Sequence, residues 1–323
     1  MDILREVQAT SDDAAVSKLS AITKGYLDDP FLRLFVGKEA RRSPLINRGY
    51  YARVKAMDMV IDRFLESTKG KCQIVALGAG SDTTFFRFKS KGKAPTKYVE
   101  VDLEGVVTKK LSVLAHNENL RELAGVSMED VAATAEKVTT AVLQSEFYAL
   151  ACADLRDAPS FEQVLAKVNG FSMEIPTLFI SECVLCYVDP PASSALLSWV
   201  RSTFPVAALV SYEQILPDDA FGRTMIGHFE TRGCPLLAIH EYPDIKAQEK
   251  RFTSLGWSRA QALDMNDIYY KCIDKEDLQR AERLEIFDEF EEWHLMQGHY
   301  CVVLAVHENT GVEPKVLEKL CLM

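Results

Sequence analysis

The chain has 323 residues, of which 48% are hydrophobic, 26% charged and 9% aromatic, and its formal charge is −10. These proportions exclude a disordered or fibrous chain, and no run of about 18 apolar residues is present to span a bilayer. The acidic balance disfavours nucleic acid and membrane surfaces as partners, because both ask for a basic face.

The opening stretch MDILREVQATSDD has mixed charge and no apolar centre of a signal peptide. A cytoplasmic protein, with the nucleus also open to it, is therefore expected. Its eight cysteines (72, 152, 183, 186, 234, 272, 301 and 321) are expected to stay as free thiols, several as small core hydrophobes. Ser11, Asp12 and Asp13 predict the N-cap of a helix running through Lys18 toward Gly25. Tyr50, Val54, Met57, Ile61, Phe64 and Leu65 recur at spacings of three and four, one apolar helix face that Gly70 ends.

From residue 72 the pattern changes. CQIVAL (72–77) is a continuous apolar run flowing into Gly78-Ala79-Gly80, as suits a strand buried on both faces. Further strands are predicted at 97–102, 147–154, 175–182, 206–213 and 298–306, with helices from Asp82, over 103–115 and over Pro191–Phe204. Strands alternating with helices predict an α/β fold with a mostly parallel sheet. The lysines at 89, 91, 93 and 97 are expected in a solvated loop, 117–145 as a largely helical insertion, and 218–296 as a helical lid. One domain over 1–323 is predicted: N-terminal helices to 70, a cofactor-binding core over 71–215, the lid over 216–297, the late strand over 298–307 and a tail over 308–323.

In an open parallel sheet, ligands bind beyond the carboxyl ends of the strands. The glycine turn ends the first predicted strand, Asp102 the second, Asp154 the third and Glu182 the fourth. Asp102, 22 residues after Gly80, can accept from both ribose hydroxyls of a nucleoside. Asp154 lies where an adenine amino group could donate, and Glu182 where a cation could be met. The third glycine of a dinucleotide fingerprint is missing, and Asp82 would set a negative charge at the helix N-terminus that a diphosphate needs. The pattern therefore favours S-adenosylmethionine, which has no phosphate and carries cationic groups, over a nicotinamide dinucleotide.

The segments NRGYYAR (47–53), LGAGSDTTFFR (77–87), KYVEVD (97–102), ADLRD (153–157), SECVLCY (181–187), YEQ (212–214), FGRTMI (221–226) and HYC (299–301) closely resemble eukaryotic leucine carboxyl methyltransferases. The resemblance runs in the same order from about Lys18 to Val306. It implies a class I S-adenosylmethionine-dependent methyltransferase with a seven-stranded sheet, an N-terminal helical region and a helical lid. It also implies the reaction, methyl esterification of the C-terminal leucine of the protein phosphatase 2A catalytic subunit, and so a role in regulating that phosphatase. By the same resemblance Lys18 and Arg53 hold the methionine carboxylate, Gly78 lines the turn, and Asp102 takes the ribose. Asp154 and Leu155 frame the adenine, Glu182 lies near the methionine moiety, and Tyr187 stands between donor and acceptor. The insertion and the tail match that family poorly and are expected to carry no function.

A terminal carboxylate is ionised at neutral pH, so such a reaction needs positioning rather than a general base. Arg48 and Lys24 are candidate guides for the anionic acceptor tail. A small-molecule O-methyltransferase with the same cofactor site and a non-catalytic binding module are the alternatives. Cys183-x-x-Cys186 reads as buried structure rather than a redox pair, the DEFEEW run as a solvated helix face, and His294 and His299 lack a third partner for a metal. A metal-free monomer whose partner is the phosphatase tail is expected.

Overall fold

The computed structural model describes residues 3–309 and 315–323. In chain order its elements are α1 (Ile3–Thr23), α2 (Pro44–Ser67), β1 (Gln73–Leu77), α3 (Thr84–Ser90), β2 (Lys97–Asp102), α4 (Glu104–His116), α5 (Glu118–Ala124) and α6 (Met128–Ala135). They continue with β3 (Val142–Gln144), β4 (Tyr148–Cys152), α7 (Ala158–Ala166), β5 (Thr177–Glu182), α8 (Pro190–Thr203), β6 (Val206–Gln214), α9 (Ala220–Thr231) and α10 (Ile245–Thr253). The remainder are β7 (Arg259–Asp264), α11 (Met265–Asp267, followed by a π-helical turn), α12 (Lys275–Glu282), α13 (Phe290–Gly298) and β8 (Tyr300–Glu308).

All the strands join one sheet in the order β3-β4-β2-β1-β5-β6-β8-β7. The five strands from β4 to β6 run parallel, and β3, β8 and β7 pair antiparallel at the two edges. Central strands such as QIVAL are buried at every position because helices cover both faces. On one face Ile74, Ala76, Tyr98 and Leu150 pack with Val60, Ile61 and Phe64 of α2, Phe85 and Phe86 of α3, and Leu111 and Leu114 of α4. On the other Val75, Leu77, Val99 and Phe179 pack with Phe161 of α7, Leu196 and Val200 of α8, and Phe252 of α10. Each such Val, Leu, Ile or Phe side chain, fully buried, stabilises by about 1.5–3 kcal/mol. No helix among the described residues is long and apolar enough to cross a membrane.

The structure corrects several sequence expectations. The first helix starts well before Ser11, so Ser11, Asp12 and Asp13 lie inside α1 rather than at its cap. Their partners are tertiary: Asp12 meets Lys109 of α4, and Asp13 meets Arg232 beyond α9. The 218–296 region contains β7, and the 117–145 insertion ends in β3, giving eight strands among the described residues. Lys97 is not in a solvated loop; it is 1% exposed, and its ammonium donates to the carbonyls of Ser145 and Glu146 at 2.7 and 3.1 Å. The tail is part of the core, since Leu317, Leu320 and Leu322 are wholly buried with the α2 face. The guanidiniums of Arg63 and Arg259 hold its carbonyls at Cys321 and Leu320 at 2.7 and 2.6 Å.

Candidate functional site

The register brings the strand ends to one edge. Leu77 is level with Val101 on β2 and Ser181 on β5, so Gly78, Asp102 and Glu182 emerge side by side. Because β8 runs antiparallel, its first residue, Tyr300, is level with Gln214 at the end of β6 and joins the same edge. Asp154 follows two residues after β4, which stops at Cys152.

The turn after β1 needs its glycines. Gly78 and Gly80 sit at φ +62° and +53°, and a Cβ on Gly78 would come within 2.7 Å of the Val184 side chain. The Asp102 carboxylate braces this turn, accepting the Gly80 N–H at 2.7 Å through one oxygen and the Leu103 N–H at 2.7 Å through the other. Each oxygen keeps a lone pair for a ligand hydroxyl. Burial pushes the Asp102 pKa up, against the pull of the two N–H donors. Asp82 occupies the N-terminus of α3, accepting the Thr84 N–H at 3.2 Å. A diphosphate has no free helix end there. Burial raises the Asp82 pKa, but Lys18, Arg87 and Lys110 outweigh it and hold it at about 2. Beneath the turn, buried Lys110 reaches the Asp82 carbonyl at 2.9 Å and the Glu100 carboxylate at 2.6 Å, and Tyr148 donates to the same Glu100 oxygen at 2.6 Å.

Arg53 of α2 projects over the sheet edge and pairs with Glu182. Its guanidinium lies 4.8 Å from the Tyr212 ring centre and 5.4 Å from that of Tyr50. Burial works against this charge, yet Glu182 and the surrounding groups hold its pKa well above the ordinary value. Tyr300 stacks on Tyr212 with ring centres 5.3 Å apart. Asp154 is engaged by Arg156, at 3.0 Å from Nε and 2.5 Å from an outer nitrogen, which lowers its pKa.

These groups surround one cavity of about 790 Å³, within the range of small-molecule sites. Arg53, Gly78, Asp102, Asp154, Leu155, Glu182 and Tyr187 all line it. Lys18 does not. It pairs with Asp82 at 3.3 Å and lies 4.0 Å from Asp29, on the far side of the turn. Arg48 and Lys24 are also elsewhere: Arg48 is buried 3.9 Å above the Phe287 ring, and Lys24 faces Glu285 at 4.0 Å. The cations that do line the cavity besides Arg53 are Arg42, Arg156 and Arg232. Sequence reasoning gave no site role to Tyr50, Tyr212, Gln214 and Tyr300, although each lies in a segment that carries the resemblance; the antiparallel register of β8 brings Tyr300 to this edge. Val7, Gln8, Ser11 and Ala14 of α1 roof the cavity, and Phe229, Leu237 and Met296 form its apolar wall.

The thiols and imidazoles are accounted for within the fold. All eight cysteines are free thiols, and burial drives the Cys183 pKa up to about 12, so the Cys183–Cys186 pair is no reactive dithiol. His299 is buried against Asp219 at 2.9 Å, and His294 meets the Tyr270 hydroxyl at 3.0 Å. Among the described residues no group of three candidate ligands could hold a metal.

Three comparisons bear on this arrangement. The leucine carboxyl methyltransferase family profile matches residues 7–201. A leucine carboxyl methyltransferase 1 homolog of Arabidopsis thaliana is 45% identical over 95% of this chain and 90% of its own length. Leucine carboxyl methyltransferase 1 of Rattus norvegicus is 37% identical over 93% and 89%. The tRNA wybutosine-synthesizing protein 4 of Homo sapiens is 38% identical over 94% of this chain, which spans only 44% of that longer protein. Among solved structures, a putative methyltransferase of Thermobifida fusca superposes with TM-score 0.50 at 10% identity, over 85% of this chain and 92% of that one. A Streptomyces avermitilis protein gives 0.51 at 9% identity, over 90% and 99%. The fold is that of a class I methyltransferase.

Proposed function

This chain belongs to the leucine carboxyl methyltransferase family, and from that premise we propose that it methylates the α-carboxylate of the C-terminal leucine of the protein phosphatase 2A catalytic subunit, with S-adenosylmethionine as donor. One observation carries the donor assignment. Three carboxylates and a turn without a phosphate site meet around one cavity, with Arg53 among them. Such a rim suits a nucleoside that bears positive charge. In this reading Asp102 accepts the ribose hydroxyls, Asp154 and Leu155 frame the base, and Glu182 faces the methionine end.

Arg53 is suited to a carboxylate, since its guanidinium stays charged and only one edge is committed to Glu182. Lys18 would act on the donor through Asp82 and the turn rather than by direct contact. When bound, S-adenosylmethionine supplies an electrophilic methyl that an ionised carboxylate takes in line, without a general base. The chain's own task is to align two ligands and exclude water. Tyr187, Phe229 and Leu237 provide an apolar wall suited to a leucine side chain. All of 1–323 serves as one methyltransferase domain in this reading, supported by the single sheet that every strand joins.

The test is transfer of labelled methyl from the donor to purified phosphatase catalytic subunit, with and without its terminal leucine. A base-labile label only on the intact subunit is expected. Equal labelling of the truncated subunit, or label confined to small acceptors, rejects the acceptor assignment.

A further inference from the structure

Four arginines and four carboxylates line the cavity, and most of them neutralise one another. Arg53 pairs with Glu182, Arg156 with Asp154, and Arg232 with Asp13. Two charges are left over. One is Asp102, the ribose acceptor of the reading above. The other is Arg42, which has no carboxylate within ion-pair distance among the described residues. Arg42 is no loose surface cation, for three contacts fix it just ahead of α2. Its backbone N–H donates to the Ser20 hydroxyl at 2.9 Å, its Nε to the Ser17 hydroxyl at 3.1 Å, and its carbonyl accepts the Asn47 amide at 3.3 Å. Both serines are buried on α1. The two outer guanidinium nitrogens make no hydrogen bond among the described residues, which leaves free the fork that holds a carboxylate through two parallel bonds.

Gln297 of α13 is a second unmet group in the cavity. It is 2% exposed, lines the cavity, and its amide oxygen has no hydrogen-bond partner. A Cβ on Gly49 would lie 3.7 Å from its amide nitrogen, which sets it against the part of α2 between Arg42 and Arg53. A buried amide oxygen left in this way is costly, and a peptide N–H entering the cavity would satisfy it.

Methyl transfer to a carboxyl terminus brings two carboxylates into this cavity, one on the donor and one on the acceptor. Each is costly to take out of water without a cation. Arg53, beside Glu182, stands at the methionine end and suits the donor's. It follows the first residue of α2 by nine residues, about 14 Å of helix, so Arg53 and Arg42 are anchored to serve separate ligands. We propose that Arg42 receives the terminal α-carboxylate of the acceptor, and so selects a free carboxyl terminus over an amide or an ester. This rests on the methyl-transfer reading above. When a carboxylate oxygen takes the methyl, the broken bond's electrons stay on the donor sulfur and no proton moves. The acceptor is then a neutral ester, and the charge by which Arg42 holds it is gone.

The test compares wild type with Arg42→Met, using a fluorescent leucine-ended peptide with its carboxylate free, as its carboxamide and as its methyl ester. By anisotropy, wild type is expected to bind the acid at least about tenfold more tightly than the amide or the ester. In Arg42→Met that preference is expected to shrink below about threefold. The variant's KM for the acid is expected to rise about tenfold or more, while kcat and calorimetric affinity for S-adenosylmethionine each change less than about threefold. If the methionine variant does not fold, Arg42→Gln, which keeps a donor for Ser17, takes its place with the same expectation. An acid preference that survives undiminished in the folded variant overturns the proposal. So does a loss of about tenfold in donor affinity, which would assign Arg42 to the donor instead. Wild type that shows no preference for the acid and forms no ester rejects the functional reading itself, an outcome distinct from a preference that outlasts the loss of Arg42.

Discussion

The two halves of the cavity are built differently. The half proposed to hold the donor rests on buried charge: Glu100 and Lys110 are 0% and 1% exposed, and Asp102 is fixed by two backbone N–H groups. The half proposed to receive the acceptor is closed by exposed groups. Leu237 is 46% exposed, and the Asp13–Arg232 pair that ties α1 to the end of α9 lies in solvent. A half made of buried, mutually dependent polar groups tolerates few changes, whereas a half made of exposed contacts can vary with its substrate.

The size of substitution effects should follow that contrast. The largest is expected for Lys110→Met, which leaves Glu100 buried without its cation and should cost about 3–5 kcal/mol in urea unfolding. A loss below about 1 kcal/mol would break the contrast. Asp102→Ala comes next. Donor affinity by calorimetry should fall roughly a hundredfold, since hydrogen bonds to an ionised group are each worth about 1.5–3 kcal/mol.

Asp82 gives a pH signature. Its folded pKa of about 2 lies below the ordinary carboxylate value, so its contribution is fully present above that ordinary value and is lost as pH falls through about 2. Asp82→Asn should therefore cost about 2 kcal/mol at neutral pH, with the difference from wild type fading below pH of about 4. An undiminished difference in acid would show that its interactions do not depend on charge. The smallest effect is expected in the acceptor half. Asp13→Asn should change stability by less than about 1 kcal/mol, and even that should vanish in about 1 M salt.

The same contrast governed what could be read from the sequence. Parallel strands buried on both faces appear as largely apolar runs, so β1, β4, β5 and β6 stood out, whereas β2, KYVEVD, is buried although it carries Lys97 and Glu100. Strand β7, RAQALD, is an edge strand with mixed burial; only its pairing with β8 makes it a strand. Ser11-Asp12-Asp13 has the local signature of a cap, but the helix continues because ILREVQAT upstream is equally helical and Lys109 and Arg232 engage the acids. Arg48 and Lys24 looked free because Glu285 and Phe287, which occupy them, are more than two hundred residues away. Residues assigned through strand ends were brought together. Those chosen by charge alone were not.

The order in which the chain is made bears on how one face closes. Leu317, Leu320 and Leu322 fill gaps beside helix α2, and the backbone there is held by Arg63 and Gln261. During synthesis, that side of the molecule stays uncovered until those leucines have left the ribosome. Until then the apolar face of α2 lacks the partners that complete its packing, and an incompletely covered apolar face is open to non-native contacts.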